Sequence, residues 1–109
     1  LNKYHAKKTT IDGIAYDSKF EANRHQELKL LERAHVISGL QRQVKFELIP
    51  KQKGERACCY IADFAYFEGK KLIVEDTKSK ATMTPEYVIK RKLMKQKYPE
   101  YEFREVVKS

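Results

Sequence analysis

The segment 60–78, YIADFAYFEGKKLIVEDTK, constrains the fold more than any other part of the chain. Two runs rich in aromatic and β-branched residues flank Glu68-Gly69-Lys70, a pattern that predicts an antiparallel hairpin. Strand side chains alternate between faces, so the hairpin also fixes which residues travel together. On its first strand Asp63 shares a face with Ile61, Ala65 and Phe67, opposite Tyr60, Phe64 and Tyr66. On its second, Asp76 and Lys78 share a face with Leu72 and Val74, while Glu75 and Thr77 point the other way.

The neighbouring segments complete a sheet. Val44 to Ile49 alternates apolar and polar residues and is stopped by Pro50, predicting a strand before the hairpin, whose own strands span Ala57 to Phe67 and Leu72 to Thr77. Tyr101 to Val107 predicts a last one. Ser18 with Glu21 matches a capping box, and Phe20, Leu28, Leu31 and Ala34 recur at helical spacing, so a first helix is expected to begin after Ser18 and to end near His35. Thr84 and Pro85 open a second helix that Pro99 stops. Ile11 to Tyr16 carries an Asp-Gly turn signal for a small hairpin or an extended lead-in. The order is αβββαβ: an α/β (α+β) fold whose three consecutive strands form an antiparallel meander, with the last strand joining in parallel after the crossover helix.

A chain of 109 residues without linker or repeat reads as one domain, 1–109, with 1–10 a basic N-terminal arm. No apolar run approaches a membrane span, and none of the signal-peptide pattern is present, which points to a cytoplasmic protein without a membrane partner. Cys58 and Cys59 are adjacent on a strand, unsuited to a disulfide or a metal site, and read as reduced thiols. The net charge of +8 favours a polyanionic partner. Lys3, Lys7 and Lys8 crowd the arm with His5, and Lys90, Arg91, Lys92, Lys95 and Lys97 crowd the second helix. Either group is equally well a solvated face.

Asp63 within an apolar stripe is the chemically informative residue, because a buried carboxylate needs a partner or a metal. Magnesium is held by one or two protein carboxylates, and Asp63 and Asp76 supply two across one hairpin. Lys78 would sit beside them, placed to orient or deprotonate a water or to neutralise phosphate charge. The plainer alternatives are an exposed strand-end Asp63 and a surface ion pair between Asp76 and Lys78. Glu21 lies about 80° from Leu31 on the helix, where it serves equally as a cap or as a third carboxylate. Glu27, nearer the centre of the stripe, is its alternative, with Arg24 as an i,i+3 partner. His25 is expected on the helix surface. Tyr16, Ile37 and Leu40 suit a dimer face or the core equally.

Glu21 on the first helix, Asp63 on the second strand and Asp76-Thr77-Lys78 on the third, in αβββαβ order, resemble the PD-(D/E)XK nuclease superfamily. The phrases NKYHAKKTTIDGIAYDSKFEA, QVKFELIP, YIADFAY and VEDTK are similar to a family of short phage and prophage proteins without assigned function. The resemblance covers nearly the whole chain. It implies a restriction-endonuclease-like mixed four-stranded sheet flanked by helices, and an Mg2+- or Mn2+-dependent DNA endonuclease working in a phage-infected or lysogenic bacterial cytoplasm. Glu21, Asp63 and Asp76 would hold the metal, and Lys78 would assist the water. Some superfamily members resolve branched DNA such as Holliday junctions, commonly as homodimers. Gln43 falls where some members carry an accessory polar residue. Ala62 stands where the superfamily's name has proline.

On this reading Lys7, Lys8, Lys92 and Lys95 grip backbone phosphates. The rival is a nucleic-acid-binding module without catalysis, which keeps the charge and the fold but gives Asp63, Asp76 and Lys78 no joint task. A further alternative is an inactive nuclease-fold subunit.

Overall fold

The computed structural model describes residues 8–108, so Lys3, His5 and Lys7 of the expected arm lie outside the described residues. Thr9 and Thr10 do not continue an arm: they pair in a short hairpin, β1 (Thr9–Ile11) with β2 (Ile14–Tyr16). Its turn residues Asp12 and Gly13 both take positive φ, the conformation that suits a two-residue reversal to strand twist.

Helix α1 (Lys19–Arg33) starts where Ser18 Oγ accepts the Glu21 N–H at 3.1 Å. It ends at Ala34, after which His35 takes the left-handed conformation that glycine more often supplies. Strand β3 (Ser38–Ile49) begins at Ser38 rather than Val44, because Gly39 and the polar run Gln41-Arg42-Gln43 hide its first half from a pattern of alternation. It is followed by β4 (Cys58–Glu68), β5 (Lys71–Lys78), a single 3-10 turn (Lys80–Thr82), helix α2 (Pro85–Lys97) and β6 (Glu102–Val107). Thr84 Oγ1 caps α2 by accepting the Tyr87 N–H. The sheet order is β3-β4-β5-β6, antiparallel except that β6 runs parallel to β5, as a helical crossover requires. The fold is α+β, with the expected αβββαβ order behind the β1–β2 hairpin.

The helices cover opposite faces. Val74 packs with Leu48, Tyr60, Ala62 and the α2 residues Tyr87 and Met94. Its neighbour Ile73 packs with Ile37, Phe64, Tyr66 and Leu28 of α1. Tyr16 and Ile37, 1% and 4% exposed, belong to the interior, and Leu40, partly buried, packs against the cluster that holds Ile37. Among the described residues no helix is long and apolar enough to cross a membrane.

Alternation of the core faces fails midway along β4. Tyr60 and Ala62 face α2, whereas Phe64 and Tyr66, of the same parity, face α1. The partner strand switches alongside: Leu40 packs on the α1 side, while Phe46 and Leu48 pack on the α2 side. Arg42 pairs with Phe64 and Val44 with Ala62, which leaves Gln43 and Asp63 facing each other at the switch, Gln43 at φ 53°. The sequence-based grouping of Tyr60 with Phe64 and Tyr66 is therefore corrected, since parity holds only along an unbroken pleat.

Candidate active site

The face switch delivers Asp63 to β5. Regular β4–β5 pairing runs from Glu68–Lys71 to Phe64–Glu75 and stops there. Beyond it side chains bridge the strands: Asp63 Oδ2 accepts the Thr77 N–H at 2.9 Å and the Thr77 hydroxyl at 2.7 Å, and the Asp63 N–H donates to Asp76 Oδ1 at 3.1 Å. Asp76 Oδ2 faces Lys78 Nζ at 2.9 Å. The two aspartates and the lysine thus meet at one point where the strands part. Asp76 is 2% exposed, so its contact with Lys78 is no surface ion pair.

Glu21 arrives from the first turn of α1 and is likewise 2% exposed. Its carboxylate accepts the Asp17 N–H at 3.3 Å through Oε1 and the Gln43 side-chain amide at 3.3 Å through Oε2, with Arg42 at 3.7 Å. The bond to Asp17 shows Glu21 helping to close the helix start, while its other oxygen faces the switch residue Gln43. Capping and membership of the cluster are compatible in this one side chain. Glu27 is not buried with it: its side chain is 65% exposed, while the buried residues of α1 are Glu21, Ala22, His25 and Leu28.

Burial and the charge of Asp63 leave Glu21 and Asp76 reluctant to ionise. Burial first, then the charge of Asp63, pushes Glu21 up to about 7, against the pull of the Asp17 N–H and Arg42. The same two causes push Asp76 up to about 7, against the pull of Lys78. A cluster with this imbalance favours an added cation. The donors are all hard oxygens, the chemistry that suits Mg2+ or Mn2+ rather than a thiophilic metal. Asp63 and Asp76 are the two carboxylates the strands bring nearest, with Glu21 arriving from α1. Among the described residues no three of His, Cys, Asp and Glu stand grouped to hold a metal together. The hydrogen bonds from Thr77 and the ion pair with Lys78 occupy oxygens that a metal would need to share.

Lys78 is held from the other side by α2. Its Nζ lies 4.0 Å from the centre of the Tyr87 ring. The Tyr87 hydroxyl donates to Glu105 Oε2 at 2.6 Å, which also receives Arg91 at 2.8 Å. These two donors hold the Glu105 carboxyl below its usual range in spite of burial. Tyr60 is buried beside Asp76, its hydroxyl turned into the interior. Burial first, then the Asp76 charge, holds that phenol above its ordinary range.

The other face is ordered differently. Glu75, fully buried, receives Arg24 Nε at 2.7 Å, Arg24 Nη2 at 2.9 Å and the Tyr66 hydroxyl at 2.6 Å. Arg24 also keeps its i,i+3 contact with Glu27 at 3.6 Å, but its principal partner is on the sheet. His25 is not on the surface: it is buried, stacked on Phe64, and within 2.5 Å of the Tyr16 hydroxyl through Nδ1. Burial first, then Lys29 and Arg42, lowers its pKa.

The structure brings Glu21, Asp63, Asp76 and Lys78 to one region and adds Gln43, Arg42, Thr77, Tyr60 and Tyr87. Thr77 and Tyr87 carry no signal in sequence, since their roles depend on the broken β4–β5 ladder and on where α2 lands. Lys8, Lys92 and Lys95 are exposed, Lys95 with its ammonium 5.9 Å from the Phe103 ring.

A compact α+β domain with a buried carboxylate–lysine cluster at a broken sheet ladder is the class that fold and site define. The chain belongs to the family described as "Protein of unknown function (DUF1064)", whose family model matches residues 1–109. No curated protein and no solved structure matches it.

Proposed function

We propose that this protein is a divalent-metal-dependent DNA endonuclease. The observation that carries this reading is Asp76, buried between Asp63 and Lys78 in a chain of net charge +8. Asp63 and Asp76 would hold Mg2+ or Mn2+, with Glu21 completing the acidic set. A cation there supplies Lewis acidity toward a phosphodiester and a nearby water. Lys78, steered by the Tyr87 ring, directs its ammonium at the same point and can orient the water or meet the charge that develops on phosphate. Arg42 and Gln43 hold the Glu21 carboxylate from the sheet side. Exposed Lys8, Lys92 and Lys95, with Lys7 of the arm, would bind backbone phosphates without reading sequence. Branched DNA in phage recombination or replication, a homodimer and a place in the bacterial cytoplasm follow from the superfamily resemblance.

The test is cleavage of a labelled four-way junction and a matched linear duplex, in Mg2+, in Mn2+ and in chelator, beside Asp76→Asn. Metal-dependent cleavage that the variant loses supports the proposal, and the ratio of the two substrates names the DNA form. The second reading, a binding module without catalysis, is favoured by one observation: Thr77 and Lys78 already satisfy oxygens of the two aspartates. It predicts DNA binding with no cleavage in any metal and no Mg2+-induced change in thermal stability.

A further inference from the structure

Strands β3 and β4 outrun the rest of the sheet. β4 pairs with β5 only from Phe64 to Glu68, whereas its pairing with β3 continues to Cys58. Residues 44–62 therefore form a two-stranded ribbon that rises from the carboxylate cluster and ends in the turn 50–57. Its two faces are treated unlike. Phe46, Leu48, Tyr60 and Ala62 pack under α2, and the Tyr98 hydroxyl fastens β3 by donating to the Glu47 carbonyl at 2.8 Å. The other face carries Lys45 opposite Ile61 and Glu47 opposite Cys59, and no residue of the ribbon joins the core beneath α1. Ile61 is 54% exposed there. A two-stranded ribbon alone is marginal in water, so packing on one face holds it straight while the other stays bare.

We propose that this ribbon is a second grip on DNA, its turn set at the groove of the duplex that flanks the phosphodiester presented to Asp63, Asp76 and Lys78. The inference takes its partner from the nuclease reading and deepens it, because it adds a DNA-binding surface distinct from the α2 lysines and needing no catalysis. Charge carries it first. Lys51, Lys53 and Arg56 crowd the turn against one acid, Glu55, and all four are exposed. Lys45, Lys51, Lys53 and Arg56 make no ion pair among the described residues, whereas Glu47, the ribbon's other acid, is met by Lys97 at 3.8 Å. Cations crowded without partners repel one another, and a polyanion relieves that repulsion. Shape carries it second. Every residue of the turn is exposed, so the turn clears α2, and a major groove admits two strands side by side. Gln52 and Glu55 exchange backbone hydrogen bonds at 3.1 and 3.0 Å around Gly54, which takes φ 77°. The cations are thus displayed on a fixed platform, and little freedom is lost when phosphates meet them. Reach carries it third. At a strand rise of about 3.3 Å per residue the turn stands roughly 20 Å from Asp63, the length of about six base pairs. That distance puts the turn and the carboxylate cluster on one DNA arm.

The experiment uses the full chain in chelator, so that binding is read without cleavage. A labelled duplex of about 20 base pairs, some three times the reach of the ribbon, gives Kd by anisotropy over a range of salt. The combined variant Lys51→Ala, Lys53→Ala and Arg56→Ala should lower the slope of log Kd against log salt by about two to three. The control Lys29→Ala, Arg33→Ala and Lys70→Ala removes the same charge from α1 and the β4–β5 turn, toward the opposite end of β3, and should lower the slope by less than about one. A benzophenone side chain placed at Gln52 should crosslink to the duplex on irradiation, and one placed at the exposed Leu30 of α1 should not. Equal slope changes in the two combined variants, or crosslinking at Leu30 and not at Gln52, overturn the proposal. A slope lost only with the turn cations, in a protein that cleaves nothing in Mg2+ or Mn2+, keeps the grip and removes the nuclease reading. Metal-dependent cleavage by the wild type, with the slope unmoved by the turn variant, does the reverse.

Discussion

Glu75 and Asp76 are neighbours on β5, equally buried, and opposite in how the protein treats them. Glu75 faces α1 and receives three donors from Arg24 and Tyr66, two of them the parallel N–H groups of one guanidinium. Asp76 faces α2 and meets one lysine, one backbone N–H, the charge of Asp63 and the buried hydroxyl of Tyr60. One carboxylate is finished as part of the fold. The other is held in a place where its charge is disfavoured, the pattern expected where stability gives way to function.

The sharpest test of that contrast is on the finished side. Glu75→Gln leaves the Arg24 guanidinium buried against a neutral amide and should destabilise the protein by about 3 kcal/mol, a large share of a small domain's total. Denaturant unfolding measures it. Cleavage per folded molecule should stay as it was. A loss of activity at full stability would mean that Glu75 belongs to the chemistry, and the division between the faces would fail.

Asp76→Asn is the mirror experiment. Cleavage should fall by about a hundredfold or more, roughly 2.7 kcal/mol of activation free energy, while DNA binding in chelator changes little. Because the folded site disfavours the Asp76 charge, the neutral isostere should raise the melting temperature at pH 8, by roughly 5 °C. At pH 5, between the unfolded and folded values, the gain should shrink, and below about pH 4 it should vanish. A variant less stable than wild type at both pH values would show that Lys78 satisfies Asp76 fully.

These contrasts were only partly legible in the sequence. Turn residues and strand runs located the β4–β5 hairpin, and parity on β5 correctly separated Glu75 from Asp76. Helix caps at Ser18 and Thr84 needed only local chemistry. What escaped were features made by tertiary contact: the switch at Gln43 and Asp63, the first half of β3, the inward turn of His25, and the choice by Arg24 of Glu75 over Glu27 as its main partner. Each depends on which element packs where, which periodicity along one segment does not contain. The clustered residues Glu21, Asp63, Asp76 and Lys78 were nameable as candidates, but the contacts from Thr77 and Tyr87 were not, for the same reason.

The pH dependence of stability follows from the unfinished side. Glu21 and Asp76 rise from ordinary values of 4.5 and 3.8 to about 7 in the fold, by burial and the charge of Asp63. Between those limits the folded form binds more protons than the unfolded one, so stability falls as pH rises through about 4 to 7. Metal-free protein should therefore melt several degrees lower at pH 8 than at pH 5. Mg2+ competes with the same protons, so it should raise the melting temperature at pH 8 and do little at pH 5. A melting temperature flat across this range would remove the charge imbalance on which the contrast between the two carboxylates rests.

The smallest effect lies outside both faces and serves as their control. Lys92 and Lys95 are exposed on α2 and pair with no carboxylate among the described residues. Replacing both with alanine should move stability by no more than about 0.5 kcal/mol. DNA affinity should nevertheless weaken at low salt, with the slope of log Kd against log salt reduced by about two, one for each phosphate no longer neutralised. The pH dependence of melting should be unaltered, since neither lysine is among the charges that act on Glu21 or Asp76. An unchanged salt slope would place the phosphate track elsewhere on the surface. A shifted pH profile would mean that the α2 charges reach the cluster, and that the imbalance at Asp76 is set by the whole basic face rather than by Asp63 and Lys78 alone.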